Sequence, residues 1–374
     1  MAKFRMINRV SNIPRRHFFV GTAAAWLLCG VQRGVAAIPQ YPALTTPAIP
    51  VKNPAQVLLV AITRTPANRL VAAGEHGVVI YSDDDGLNWK QARVPVNLTL
   101  TCIRFATDKI GWAVGHAGVI LKTEDAGESW VMQLNGNQVN KMMMGAAQAP
   151  NVQNSPSPAA PLALVRAQHF ADGGPDIPFL TMIVFSPQKM LALGAYRIAA
   201  MTNDGGKTWQ DWSLNIYYRL SRNIYDATEI DGDYYLAAEM GLVFCSTDGG
   251  NSFLQLSSPS GTSLFGILGA KDGTLIVFGV AGSAYSSKDQ GKTWTPINIS
   301  TQDDLTGGRV LSSGSIVVTS ESGQIFESKD NGASFTALPN IQSQPFFDVQ
   351  EASNGALIAV GAAGITDISK LKWA

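Results

Sequence analysis

One eight-residue pattern recurs six times along the chain and restricts its fold more than any other feature: Ser/Thr-x-Asp-x-Gly-x-Ser/Thr/Asn-aromatic. The copies are SDDDGLNW (82–89), TEDAGESW (123–130), TNDGGKTW (202–209), STDGGNSF (246–253), SKDQGKTW (287–294) and SKDNGASF (328–335). Their central acids Asp84, Asp125, Asp204, Asp248, Asp289 and Asp330 are separated by 41, 79, 44, 41 and 41 residues. A constant period of this length marks stacked supersecondary units, none of which buries its apolar face alone. The chemistry inside each copy is that of a turn. An Asp carboxylate accepts hydrogen bonds from nearby backbone N–H groups. The Gly two positions on supplies the positive φ that a side chain resists, and the aromatic opens the next strand and packs inward. Repetition in every unit points to an architectural element and away from a single catalytic or calcium-binding site.

Upstream of each copy lie further strands. In the second unit Thr101–Phe105 alternates, followed by Gly111–Gly115 and Val119–Lys122. With the strand after the hairpin, each unit holds four strands, and four-stranded units at this period predict the blades of a β-propeller. Hairpins of this kind resemble the Asp-box repeats of sialidases and related propellers. The stretch GWAVGHAGVILKTEDAGESW (111–130) is similar to the repeat of the photosystem II assembly and stability factor family. The similarity spans about residues 55–369 through its repeats, without a single active-site motif. After the sixth box come Phe346–Val349, Ala356–Gly361 and Gly364–Ser369, but Leu371 stands where the box acid belongs. These strands predict an all-β, seven-bladed propeller of four-stranded antiparallel blades. The missing outer strand is expected from the N-terminal segment near Ala43–Thr46, whose flanking prolines suit only an edge strand. Six blades with a trailing segment is the alternative.

Charge and targeting bound the partner class. The chain of 374 residues has 28 basic and 28 acidic residues, but all six basic residues of segment 1–37 stand there without an acid. The remaining chain is therefore net acidic, which argues against nucleic acid as a partner, because phosphate binding needs a basic face. Pro14-Arg15-Arg16-His17-Phe18-Phe19, an apolar run from Val20 to Val31 and small residues up to Ala37 resemble a twin-arginine export signal. The run is too short to span a membrane, and Leu28 before Cys29 suits lipid attachment poorly. The expected domains are an export peptide over 1–37 and one propeller over 38–374, a monomer in the periplasm or an equivalent lumen. Cys102 and Cys245 fall two blades apart, too far for a disulfide, and are expected to be buried free thiols.

The repeats differ from each other in one place that suggests function. The turn between the second and third strands reads GEHG (74–77), GHAG (115–118), GAYR (194–197), AEMG (238–241), GVAG (279–282), SESG (320–323) and GAAG (361–364). Arg197 replaces a Gly found in the six sibling turns. In a four-stranded meander these turns and the inter-blade linkers share one rim, opposite the Asp-boxes. Glu75, His76, His116, Tyr196, Arg197, Glu239 and Glu321 are therefore expected on that rim. The 79-residue interval places an insertion, roughly 135–176, in the linker between blades two and three. It contains Met142–Met144, NVQNSPSPAAP and Asp172-Gly173-Gly174-Pro175, a composition that argues for a loop. The next linker carries Trp212, Tyr217, Tyr218, Arg219, Arg222 and Tyr225, a set rich in the residue types that dominate protein-binding hot spots. Tyr196, Arg197, Trp212, Tyr217, Tyr218, Arg219 and Arg222 are the candidate partner-binding residues, with Met142–Met144 as an adaptable neighbour.

No Ser-His-Asp set, phosphate loop or metal-ligand spacing stands out, although His76, His116 and Glu75 lie in adjacent units. No cofactor is expected. The Arg-Ile-Pro motif of sialidases is missing before the first box, and Tyr196-Arg197-Ile198-Ala199 echoes it only in part. The family resemblance implies a non-catalytic scaffold that assists assembly or stability of a membrane protein on the exported side. The alternative is a glycoside hydrolase or carbohydrate-binding propeller of sialidase type. Three converging arginines would mark the latter.

Overall fold

The computed structural model describes residues 41–152, 154–339 and 344–370. The expected export peptide and Leu371 lie outside them. Seven antiparallel sheets follow one another around an axis. In blade 1 the strands are Leu59–Arg64, Leu70–Gly74, Val79–Ser82 and Lys90–Gln91, running outward in chain order. Five sheets hold four strands, the fourth blade gains a fifth, and the seventh has three among the described residues.

Burial explains why the second strands read as apolar runs. Leu70–Gly74, Gly111–Gly115, Met190–Gly194, Leu275–Gly279 and Ile316–Ser320 are buried at every residue. A strand sandwiched between two neighbouring blades has no solvent face, so alternation disappears. The innermost strands are Leu59–Arg64, Leu100–Phe105, Phe179–Val184, Ile224–Ile230, Leu264–Gly269, Leu305–Val310 and Phe346–Glu351. They line a central channel enclosing about 300 Å³.

The boxes form as the sequence dictates, with near-identical geometry. The Ser or Thr hydroxyl donates to the box Asp at 2.7–2.9 Å in all six copies. The same Oδ1 accepts the backbone N–H four residues on at 2.8–3.0 Å. The box glycines have φ from 82° to 93°. They also do something the turn alone does not require. A Cβ on Gly206 of blade 3 would lie 2.8 Å from the Trp112 ring of blade 2, and one on Gly250 of blade 4 would lie 2.4 Å from Phe185 of blade 3. Gly332 of blade 6 meets Ile276 of blade 5 at 2.3 Å, and Gly86 of blade 1 meets Ile358 of blade 7 at 3.3 Å. Each box thus seats against the preceding blade, and the first box helps to close the ring.

Closure is completed between the innermost strands and beside the first box. Ile62 N donates to Asp348 Oδ2 at 3.1 Å, and Ser353 donates through N and Oγ to Asp85 at 2.9 and 2.7 Å. The N-terminal segment takes a different course from the expected edge strand. Pro42–Leu44 is a 3₁₀ turn with Leu44 buried. Ala43 O accepts from Asn97 N at 2.9 Å and Ala48 N donates to Val94 O at 3.0 Å, so the segment packs on the linker between blades 1 and 2. Pro54–Gln56 then runs beside the last strand of blade 7, where a Cβ on Gly364 would sit 2.1 Å from Ala55 O. Pro42, Pro47, Pro50 and Pro54 lack the N–H groups that a ladder needs.

The insertion is helical and not an irregular loop. Helix α1 covers Gly136–Gln148 and helix α2 covers Ala163–Gly173. Asn135 caps α1 through a full capping box with Gln138, which satisfies two orphan N–H donors. Val139, Met143, Ala167 and Phe170 are buried against Val114, Ile120 and Leu134 of blade 2 and Ile198 of blade 3. Asn140 Nδ2 ties the helices together by donating to Phe170 O at 3.1 Å and Gly174 O at 2.8 Å. No helix among the described residues is long and apolar enough to cross a membrane.

Candidate functional site

The divergent turn and the linker that follows it build one continuous rim over blades 2 to 5. Its starting point is backbone geometry. In the sibling turns His76, Ala117, Met240 and Ala281 take φ of 53–59°, each followed by a glycine at positive φ. A Cβ on Gly77, Gly241 or Gly282 would come within 2.0–2.3 Å of a carbonyl of the adjoining linker. Blade 3 keeps the conformation with Tyr196 at φ 51° and Arg197 at φ 61°. Because Arg197 carries a Cβ, its linker cannot approach as closely. The linker instead forms Ile216–Tyr217, a short strand that pairs in parallel with Phe253–Leu254 of blade 4.

Arg197 is therefore an internal clamp, a correction to its expected place among the partner-contacting residues. It is 2% exposed. Its Nη1 donates to Ile216 O at 3.0 Å and also to Tyr218 O. Burial, followed by repulsion from Arg166 and opposed by Asp211, pulls its pKa down to about 9, so it stays charged at neutral pH. Arg166 arrives from α2, where its Nη2 donates to Ser213 Oγ, and burial lowers its pKa as well.

Two further members of the expected patch are also structural. Trp212 Nε1 donates to Gly250 O at 3.0 Å. In three other boxes that bond comes from the box tryptophan itself, as Trp89 to Gly86 O at 3.0 Å. The fourth box has Phe253, which cannot donate, and Trp212 supplies the indole from the linker. Tyr218 packs edge-on against Phe244, with ring centroids 5.8 Å apart.

Tyr196, Tyr217, Arg219 and Arg222 remain accessible. Tyr196 is 53% exposed and leans on Phe170 of α2, 5.9 Å between ring centroids. Tyr217 and Arg222 are half-buried and Arg219 is exposed. Hydrogen bonds fix the rim's shape: Tyr196 N donates to Asn223 Oδ1 at 2.9 Å, Asn223 N to Glu239 Oε2 at 3.2 Å and Met240 N to Ser263 Oγ at 3.3 Å. Arg222 pairs with Glu239 at 3.5 Å, both side chains half-buried at the surface, a contact of modest energetic weight. Of the three methionines, Met143 is buried and Met142 and Met144 are half-buried against the same core. They fix the helices onto the blades.

The remaining candidates are dispersed. His76 Nδ1 lies 3.0 Å from Asn97 Oδ1, whereas His116 is enclosed and desolvation lowers its pKa. Among the described residues no three His, Cys, Asp or Glu side chains come together. Cys102 and Cys245 are free thiols, half-buried where full burial was expected. Sequence reasoning missed the channel charges. The innermost strands bulge at equivalent positions, and that register sends Asp226 and Asp348 inward, with Arg104 and Arg309 one step further along. Arg104 pairs with Asp226 at 3.2 Å and Arg309 with Asp348 at 3.9 Å. Two paired arginines are the only arginines lining the channel among the described residues, so three guanidiniums do not converge there.

These features define a closed seven-bladed propeller with one uniform face of hairpins and one divergent rim. No protein-family model matches the chain, and no curated protein sequence does. Solved structures do share its fold. A structure described as YCF48 bound to D1 peptide superposes with a TM-score of 0.60 at 14% identity, over 86% of this chain and 97% of that one. YCF48 from Cyanidioschyzon merolae gives a TM-score of 0.61 at 13% identity, over 85% and 96%. Virginiamycin B lyase from Staphylococcus aureus gives 0.59 at 11% identity, over 83% and 94%. At such identities the likeness concerns the fold, which serves binding proteins and enzymes alike.

Proposed function

We propose that this chain is an exported, non-catalytic propeller that binds a protein client through the rim of blades 3 and 4, as an assembly or stability scaffold for a membrane protein. The observation that carries this reading is the rim itself. Tyr196, Tyr217, Arg219 and Arg222 present accessible rings and guanidiniums on a frame held rigid by Arg197, Asn223 and Glu239. Aromatic and Arg side chains on a preorganised surface bury much area at low entropic cost. The fold neighbour captured with a peptide supports a peptide-binding role for such a propeller. The twin-arginine-like leader supports action outside the cytoplasm, where a membrane client would present its exported loops.

The sialidase-type reading has less support, because Arg104 and Arg309 are each engaged by an Asp and no third arginine among the described residues joins them in the channel. The test is capture of the exported protein from solubilised membranes, with mass spectrometry of the co-purifying chains. A reproducible membrane-protein partner that the doubly reversed variant Arg219→Glu/Arg222→Glu fails to retain is the expected result. Equal retention by that folded variant would refute the rim's role.

A further inference from the structure

Two arginines meet inside the protein where the helical insertion lies against the rim. Arg166 projects from α2 and Arg197 from the divergent turn of blade 3, and their chain neighbours Ala167 and Ile198 share one apolar cluster. Both are tied to the same linker. Arg166 Nη2 donates to Ser213 Oγ, and Arg197 Nη1 donates to Ile216 O at 3.0 Å and to Tyr218 O. Arg166 Nε and Nη1 and Arg197 Nε are enclosed and have no hydrogen-bond partner among the described residues. Arg197 is 2% exposed. Enclosed donors without an acceptor are rare in folded proteins, and here they gather on a pair of neighbouring guanidiniums.

The charge around them does not balance. Asp211 is the carboxylate that draws on both guanidiniums, and Arg166 repels Arg197. Its Oδ1 already accepts from Ser213 N at 3.0 Å and Ser213 Oγ at 2.6 Å. Two guanidiniums against this single carboxylate leave one positive charge over among the described residues. A buried Lys would shed its proton in such a place, but a guanidinium keeps its charge at neutral pH. Water satisfies a donor without cancelling a charge. An unpaired buried charge is strongly destabilising, and sequences break such a rule where a function uses the exception. The acceptor that completes this cluster is an anion.

Enclosure limits its size. The inner face of α2 packs Ala167 and Phe170 with Ile198 of blade 3 over the cluster. A polypeptide carboxylate would have to bring its chain through that packing, whereas a free ion enters whenever α2 lifts. The helix ends at Gly173 and Gly174, where an added Cβ would meet nothing within 4 Å, so its C-terminal end has room to move. N–H groups fanned from two planar guanidiniums match the several oxygens of an oxyanion.

We propose that Arg166 and Arg197 form a site for one small free oxyanion, of the phosphate or sulfate class, which locks α2 onto the linker between blades 3 and 4. The site stands apart from client binding, since Tyr196, Tyr217, Arg219 and Arg222 contribute nothing to it.

The test is equilibrium dialysis of the exported protein against radiolabelled inorganic phosphate and, separately, sulfate, in sodium chloride buffer so that chloride competes throughout. Saturable uptake of a single oxyanion per chain is expected. Arg166→Met, which keeps an apolar stem, should weaken it by about tenfold or more, because charge-assisted hydrogen bonds are lost. Arg166→Lys keeps the charge without the fork and should lose a smaller factor; it carries the test if the first variant does not fold. Phosphate should also slow amide exchange over Ala163–Gly173 in the parent and leave the folded Arg166→Met variant unaffected. Absence of saturable uptake of either ion by the parent overturns the proposal. So does uptake at parental strength by a folded Arg166 variant, or phosphate protection of α2 that Arg166→Met shares, since either would place the ion elsewhere.

Discussion

The double role of the box glycines leads to a prediction in which two adjacent residues should behave differently. Gly205 and Gly206 both lie at positive φ, 73° and 93°. At the first position the other boxes already tolerate side chains, since Asp85, Ala126, Gln290 and Asn331 adopt φ of 55–62°. A Cβ on Gly205 would meet nothing closer than 3.5 Å. Gly205→Ala should therefore cost only the left-handed strain, about 1 kcal/mol. At Gly206 the same strain is joined by a Cβ only 2.8 Å from the ring of Trp112, a residue with 0% exposure that cannot swing aside. Overpacking of that kind costs about 1–3 kcal/mol, which brings Gly206→Ala to roughly 2–4 kcal/mol in total. At about 2 °C per kcal/mol for a large domain, the melting temperatures should fall by about 2 °C for Gly205→Ala and about 4–8 °C for Gly206→Ala. Differential scanning calorimetry, with indole fluorescence to follow Trp112, makes the comparison. Equal losses would mean that the glycine serves its own turn alone and that the boxes do not key one blade to the next.

Three further outcomes are expected. The carboxyls of Asp84, Asp204, Asp289 and Asp330 are held at about 2 by hydrogen bonds from the residue four positions on, below the ordinary 3.8. A folded-state value below the unfolded one contributes stability that is complete above about pH 4 and lost as pH falls toward 2. Melting temperature followed from pH 5 to pH 2 should drop within that window, and a flat profile would contradict the box geometry. Arg197→Met should speed amide exchange across Ile216–Tyr218 while leaving the Asp-box of blade 1 protected, because the clamp acts only on its own linker; unchanged exchange would remove Arg197 from that role. Asn135→Ala, which removes the α1 cap, should cost about 1 kcal/mol and raise exchange in the hairpin alone.

Much of the architecture could be read from the chain because its determinants are local. Six turns need the same Ser/Thr, Asp and Gly, so period, strand number and the identity of the two faces followed from spacing. The seventh blade was visible through its strands even without a box. What escaped detection depends on surfaces that only the folded ring creates. The cap Asn135-x-x-Gln138 and the spacing of Val139, Met142 and Met143 were available as helix signals, but Pro, Ser and Asn in the intervening turn masked them. The inner face of the hairpin makes sense only once blades 2 and 3 offer Val114, Ile120 and Ile198. Arg197 announced an altered turn by replacing Gly. Whether its guanidinium faced solvent or the linker was decided by the extra strand at Ile216–Tyr217, which no local pattern encodes. Trp212 looks like a contact residue in the sequence because its partner, the Gly250 carbonyl, lies in another blade.

The two faces of the propeller divide the labour, and paired charge reversals measure that division directly. Arg219→Glu/Arg222→Glu alters the divergent rim, and Lys207→Glu/Lys292→Glu alters exposed positions in the hairpins opposite. With client capture from membranes as the readout and melting temperature as the control for folding, the first pair should abolish capture and the second should leave it intact. Loss of capture from the hairpin side, with the rim variant binding normally, would contradict the assignment of the working face.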